Sequence, residues 1–253
     1  MSIVLNECSW AEDAIRDGVL GKKPYETFSR VAKYYTYNNY TKTQVRQQLD
    51  NFLLRCEPAA SLVTWSDTLD AAAKSALKYP PIMIDHIAVT VPEMNKIKEL
   101  KGKQLQRLAF TLLCIAKYKV TVNPLSNNWV TTPDAEIMKM ANINTSIKRQ
   151  SLLYNQLMEL GMIRFSKKID NLSVQVLFAE DGDTAIEITD FRNLGYQYMM
   201  YYGEPYFKCE RCGIVTKINN PVKGSKQKYC TECAQKIHME QKINSVMRQR
   251  NKA

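Results

Sequence analysis

Apolar residues recur at intervals of three and four along most of this chain, the spacing that places them on one side of a helix. Phe28, Val31, Ala32 and Tyr35 follow it, and after a break at Asn38-Asn39-Tyr40 it returns at Val45, Leu49, Phe52, Leu53 and Cys56. A further predicted helix carries Leu69, Ala73, Ala76 and Leu77 and stops at Pro80-Pro81, because proline offers no N–H to continue it. Residues 1–92 therefore read as a helical N-terminal region. Within it, the run Ile82-Met83-Ile84-Asp85-His86-Ile87-Ala88-Val89 is apolar enough to be buried, yet its period fits a strand and a helix alike.

From Pro92 and Glu93 a basic helical stretch runs through Lys103. Leu105, Leu108, Ala109, Leu112, Leu113 and Ala116 then mark the most regular helix in the sequence. Thr132 suits an N-cap, with Pro133 as first helical residue and Asp134 and Glu136 in the first turn of a short helix. A turn at Ala141-Asn142-Ile143-Asn144 precedes a second N-cap, Thr145 or Asn144, and a helix from about Ser146 to Leu160 that Gly161 closes. The period then drops to two. Met162–Phe165 and Leu172–Val176 read as strands around a polar turn at 167–171, and Ile186-Glu187-Ile188 as a third strand after Asp181-Gly182-Asp183.

Short helix, tight turn, longer helix and hairpin is an order that resembles the winged helix-turn-helix family over roughly residues 103–190. The run Leu157-Met158-Glu159-Leu160-Gly161-Met162-Ile163 at the exit of the longer helix supports the resemblance. It implies a domain over 93–190 whose third helix can enter a DNA major groove. Lys148, Arg149, Gln150, Asn155 and Gln156 would be that helix's polar residues, and Arg164, Lys167 and Lys168 the basic approach to the wing. Glu180, Asp181, Asp183, Glu187 and Asp190 form an acidic strip that would repel DNA if it shared that face.

An aromatic connector at 191–207, with Phe191, Tyr196, Tyr198, Tyr201, Tyr202, Tyr206 and Phe207, is too apolar for a free linker and is expected to pack. Beyond it, Cys209 and Cys212 are answered by Cys230 and Cys233. Two residues within each pair let both sulfurs reach one ion, and two pairs complete a tetrahedral shell. Residues 208–253 are therefore expected to be a zinc module with one structural Zn²⁺ and a C-terminal helix from about Ala234, similar to a zinc ribbon or treble clef. The expected fold is mainly α (α+β): helical N-terminal region, winged helix domain, four-cysteine module.

Charge separates this last segment from the rest. From Tyr206 to Ala253 there are eleven cations and three anions, +8, so the preceding residues hold only +2 of the chain's net +10. Clustered cations gain affinity for nucleic acid by releasing its condensed counterions. Lys223, Lys226, Lys228, Lys236, Lys242, Arg248 and Arg250 are thus candidate phosphate contacts. Tyr25, Tyr34, Tyr35, Tyr37 and Tyr40 beside Lys33, Lys42 and Arg46 could stack bases, although tyrosine at helix spacing more often lines a core.

No phosphate-binding glycine loop is present, Asp181 and Asp183 read as turn residues, and Asp85-His86 lacks a nucleophile motif beside it. A closed four-thiolate shell leaves no open position for catalysis, and His238 is not needed to complete it. The chain is expected not to be an enzyme and to have no small-molecule substrate. With neither a leader sequence nor a membrane span, and with Cys8, Cys56 and Cys114 scattered, a cytoplasmic setting is expected. The stretch Asp190–Tyr196 and the two knuckles resemble uncharacterised bacteriophage and prophage proteins, implying a bacterial host. The expectation is a nucleic-acid-binding (DNA or RNA) accessory protein of replication or transcription. Its alternative is an inhibitor docking on a host protein complex, a polymerase or defence machine, where nucleic acid normally lies.

Overall fold

The structure is a computed structural model and describes residues 3–167, 173–219 and 227–250, with side chains described to Arg248. Ten α-helices and seven short strands occur among the described residues, a mainly α fold with small sheets. The chain forms two compact units, divided between His86 and Ile87.

The first unit contains α1 (Glu7–Asp17), α2 (Pro24–Tyr37), α3 (Lys42–Cys56) and α4 (Leu62–Ala76). Side-chain oxygens start three of them: Asn6 accepts from Ser9 N, Thr41 and Gln44 form a capping box, and Ser61 accepts from Thr64 N. Phe28 sits at the centre, edge-on to Phe52 and Trp65, with Leu49, Leu53 and Leu69 sealed around it. Tyr34 and Tyr35 pack against this core, whereas Tyr25, Tyr37 and Tyr40 are exposed.

Buried Glu7 receives Lys33 at 2.8 Å, Arg30 at 3.6 Å and the Ile82 N–H at 3.0 Å. Its own N–H donates to the Ile82 carbonyl, and Ile84 N–H to the Leu5 carbonyl. The ambiguous run beginning at Ile82 is therefore extended, with no helical turn in it. Its end is a strand, β1 (Ile87–Thr90), in the second unit. Asp85 and His86 between them are exposed, although the run around them is apolar and a partly buried His86 is expected from it.

The second unit is organised on α6 (Lys103–Val122), preceded by α5 (Val91–Lys98). Eleven of the twenty α6 side chains are buried, so it is a central helix, not a half-exposed one. Around it stand β2 (Trp129–Val130), α7 (Asp134–Met140), α8 (Ile147–Glu159), β3 (Ile163–Phe165), β4 (Val174–Val176) and α9 (Leu194–Tyr201). The sheet order is β2-β4-β3, antiparallel throughout, with Trp129 opposite Gln175 and Gln175 opposite Arg164. At the end of α8, Gly161 (φ 68°) and Met162 donate to the carbonyls of Met158 and Leu157, the paired bonds of a Schellman turn.

Several expected details change. The basic stretch from Pro92 to Lys103 is interrupted, because α5 ends at Lys98 and Gly102 turns the chain at φ 107°. α7 starts one residue later than expected, with Pro133 as N-cap and no side-chain cap from Thr132. Ser146, instead of Thr145 or Asn144, caps α8 by accepting from Arg149 N. The strand β5 (Thr184–Ile188) pairs antiparallel with β1, Ile87 opposite Ile188, and not with the β3–β4 hairpin. At this junction the fully buried Glu93 accepts from Thr90 N, Glu180 N and Lys117 Nζ at 2.7 to 2.9 Å. The strip's Glu180 also pairs with Lys96, and its Asp190 with Arg192.

Candidate metal centre and basic surfaces

The aromatic connector becomes α9 and packs on α6, with Tyr198 buried 5.3 Å from the Phe110 ring. Gly195 makes this approach possible. A Cβ there would stand 2.0 Å from the Ala141 carbonyl oxygen at the end of α7. Just before α9, Asn193 adopts φ 54° and directs its side chain both ways: Oδ1 accepts from Asn142 Nδ2 at 2.8 Å, and Nδ2 donates to the Val215 carbonyl at 2.9 Å.

That carbonyl belongs to a hairpin of β6 (Tyr206–Lys208) and β7 (Val215–Lys217), whose turn is the first cysteine knuckle. Cys209 N–H donates to the Ile214 carbonyl and Gly213 N–H to the Cys209 carbonyl, both at 2.9 Å, with Gly213 at φ 72°. The second knuckle leads into α10 (Thr231–Arg250), with Cys233 in its first turn. Glu210 N–H donates to the Lys228 carbonyl at 3.0 Å and Cys230 N–H to the Cys209 sulfur at 3.3 Å, joining the two knuckles directly.

All four sulfurs lie within 4.8 Å of one another, and Cys212 Sγ is 3.8 Å from Cys230 Sγ. A tetrahedral ion with metal–sulfur bonds of about 2.3 Å sets its ligands about 3.8 Å apart, so the cluster fits a single metal site. Cys209, Cys230 and Cys233 are buried and Cys212 half-buried. Burial opposes ionisation of Cys209, but the N–H groups of Cys230, Cys212 and Arg211 hold its thiol down to about 6. Cys233, buried beside three other thiols, is pushed up to about 12. Four thiolates need a cation among them to coexist.

Contacts outside the cluster hold it in place. Arg192 donates to the Cys212 carbonyl at 2.7 Å while paired with Asp190. Arg211 grips Glu240 of α10 through two bonds of 2.6 and 3.1 Å. Neither arginine stands out in the sequence, where one reads as a connector residue and the other as one more basic charge. His238 is exposed on α10 and lies outside the sulfur cluster.

On α8, Lys148, Arg149, Asn155 and Gln156 are exposed on one face, opposite the buried Leu153, Tyr154 and Leu157. Leu152 and Glu159 share that exposed face. Gln150 is turned aside, its Nε2 donating to the Thr145 carbonyl at 3.0 Å. Arg164 lies on the sheet, where it donates to Gln175 and faces the Trp129 ring at 6.0 Å. Lys167 is exposed, and Lys168 lies outside the described residues.

In the cysteine module Lys228 pairs with Glu210 at 3.7 Å, and Lys236, Lys242 and Arg248 are exposed along α10. Those three follow one another at six-residue intervals, about 240° of rotation per step at roughly 100° per residue. They encircle the helix instead of forming one face. Lys223, Lys226 and the Arg250 side chain lie outside the described residues. No described helix is long and apolar enough to cross a membrane.

Comparison with protein-family models, with curated proteins and with solved structures found no match to this chain.

Proposed function

We propose that the chain is a nucleic-acid-binding accessory protein of replication or transcription, with a winged helix and a structural zinc module as its two working parts. The observation that carries this reading is the exposed Lys148, Arg149, Asn155 and Gln156 face of α8, on a helix whose other side is fixed in the unit's core. The succession α6, β2, α7, α8, β3, β4 with sheet order β2-β4-β3 supports a winged-helix reading. Four sulfurs at tetrahedral spacing favour Zn²⁺ in a closed structural site held by Cys209, Cys212, Cys230 and Cys233. The ion would fix α10 and its cations against the β6–β7 hairpin and would leave no position open for chemistry. An origin in a phage-like element rests on the sequence resemblance alone.

A second reading, docking on a host protein machine, is supported by apolar side chains beside the cations. Ile147 and Leu152 are exposed on α8, and Met239, Ile243 and Met247 recur every fourth residue on α10. Fluorescence anisotropy of labelled DNA and RNA across a salt series separates the two. Nucleic-acid binding gives a log–log slope of several units. A flat or absent response, with recovery of a host protein that survives nuclease treatment, sinks the first reading in favour of the second.

A further inference from the structure

Where α6, the α9–β6 turn and β7 meet, a half-open cavity of about 420 Å³ gathers three cations, Lys103, Arg107 and Lys217. Lys103 and Arg107 stand one helical turn apart on α6, and Lys217 closes the cavity from β7. A single acid, Glu204, lines it, and Lys103 holds that carboxylate at 2.6 Å. Arg107 is different. Its Nε is buried and donates to nothing, and among the described residues neither Arg107 nor Lys217 has an acid partner.

Leaving a buried guanidinium N–H unsatisfied is costly, and the surroundings hold it there. Its stem passes under Gly195, where a Cβ would stand 3.0 Å from Arg107 Cδ. Met199, Pro205, Tyr206 and Ile218 complete the lining, so the cavity has a cationic end and an apolar, aromatic wall. Burial, Tyr196 and Glu204 raise the Tyr206 phenol, while Arg107 and Lys103 pull the other way.

We propose that this cavity binds a nucleotide phosphate monoester, with Arg107 and Lys217 on the phosphate and the Tyr206 wall against the attached base. Three cations less Glu204 leave +2 in the cavity, matching a monoester that carries about −1.5 to −2 at neutral pH. The planar guanidinium suits two phosphate oxygens at once. The volume falls in the roughly 300–1,000 Å³ range of small-ligand sites. Such a site would take a small molecule as ligand and not as substrate, and it holds whether or not the α8 face takes a polynucleotide. The monoester could belong to a free nucleotide or to the 5′ end of a strand.

The test uses the full chain with AMP and adenosine, and with one hexanucleotide in 5′-phosphorylated and 5′-hydroxyl forms, followed by calorimetry. AMP binding at least tenfold tighter than adenosine assigns the site to a free nucleotide. Without an AMP response, a tenfold preference for the phosphorylated strand assigns it to a strand end. Either preference is lost in Arg107→Gln and in Lys217→Gln, the latter altering an exposed residue that can be changed without disturbing the core. It persists in Lys208→Gln, on β6 outside the cavity lining. Absence of both preferences, their survival in Lys217→Gln, or their loss in Lys208→Gln overturns the proposal. None of these outcomes depends on the salt response of long nucleic acids.

Discussion

Asn142 Nδ2 donates to Asn193 Oδ1 at 2.8 Å, joining two residues 51 apart that both occupy the left-handed region, at φ 56° and 54°. Asn142 lies in the turn between α7 and α8, and its Oδ1 accepts from Tyr196 N at 3.2 Å. Asn193 continues to Val215 in the β6–β7 hairpin. Two amide side chains thus fasten the α7–α8 turn, α9 and the cysteine hairpin to one another.

Asn193→Gly keeps the backbone conformation, which glycine adopts freely, and removes only the side-chain bonds. The expected loss is about 1–3 kcal/mol in chemical denaturation, because partners are left unsatisfied. Asn142→Gly behaves alike, and the double variant loses less than the sum, with a coupling of about 1 kcal/mol. Amide exchange in β6 and β7 should quicken in the Asn193 variant. Strict additivity would show that the bond does not join the two sites.

Gly195→Ala drives a methyl into the Ala141 carbonyl at a separation no packed structure tolerates. Overpacking of this kind costs about 3 kcal/mol or more, read as a fall in Tm. An unchanged Tm would mean that α9 does not lie this close to α7.

Removal of Glu93 leaves Lys117 without its carboxylate and two N–H groups without an acceptor, in a setting where Glu93 is fully buried. Glu93→Ala is expected to cost about 3–5 kcal/mol. Glu93→Gln, which keeps an acceptor oxygen, should recover part of it in the same denaturation experiment.

Chelation should release one divalent ion per chain, with native mass spectrometry showing the mass of a single zinc before treatment. Cys233→Ser or Cys209→Ser should lower metal retention and lose the order of the β6–β7 hairpin and of the first turns of α10, while α1 to α4 keep their amide protection. Among the other cysteines, burial raises the Cys114 thiol and leaves it unexposed, so it should resist alkylation until the unit unfolds. Cys8 and Cys56, whose thiols burial also raises, are only partly covered and should react first.

Lys148→Gln with Arg149→Gln removes two cations from the exposed α8 face without touching its buried side. If that face meets duplex phosphates, the log–log salt slope should fall by about two. An unchanged slope would take α8 out of the contact surface.

The features legible in the sequence are those that local spacing determines. α6 follows from its leucine and alanine period, the end of α8 from Gly161, and the sulfur cluster from two C-x2-C pairs. Features made by distant partners were not legible. β2 is two residues long and becomes a strand only because Val174 and Gln175 pair with it. The run through Ile87 became a strand because β5 arrives from a hundred residues away. Asn142 and Asn193 read as ordinary turn residues, since nothing local says that two turns will touch. The cations of the last helix were countable, but their distribution depended on its phase.

Because Lys236, Lys242 and Arg248 wind about α10 like the thread of a screw, and Glu232 and Glu240 flank Lys236, no side of that helix gathers its cations into a stripe. A polyanion lying against it would meet these cations one at a time and find no fixed register. Any discrimination between one sequence and another would have to come from elsewhere on the protein, with this helix supplying residence and lateral freedom instead of a reading of bases.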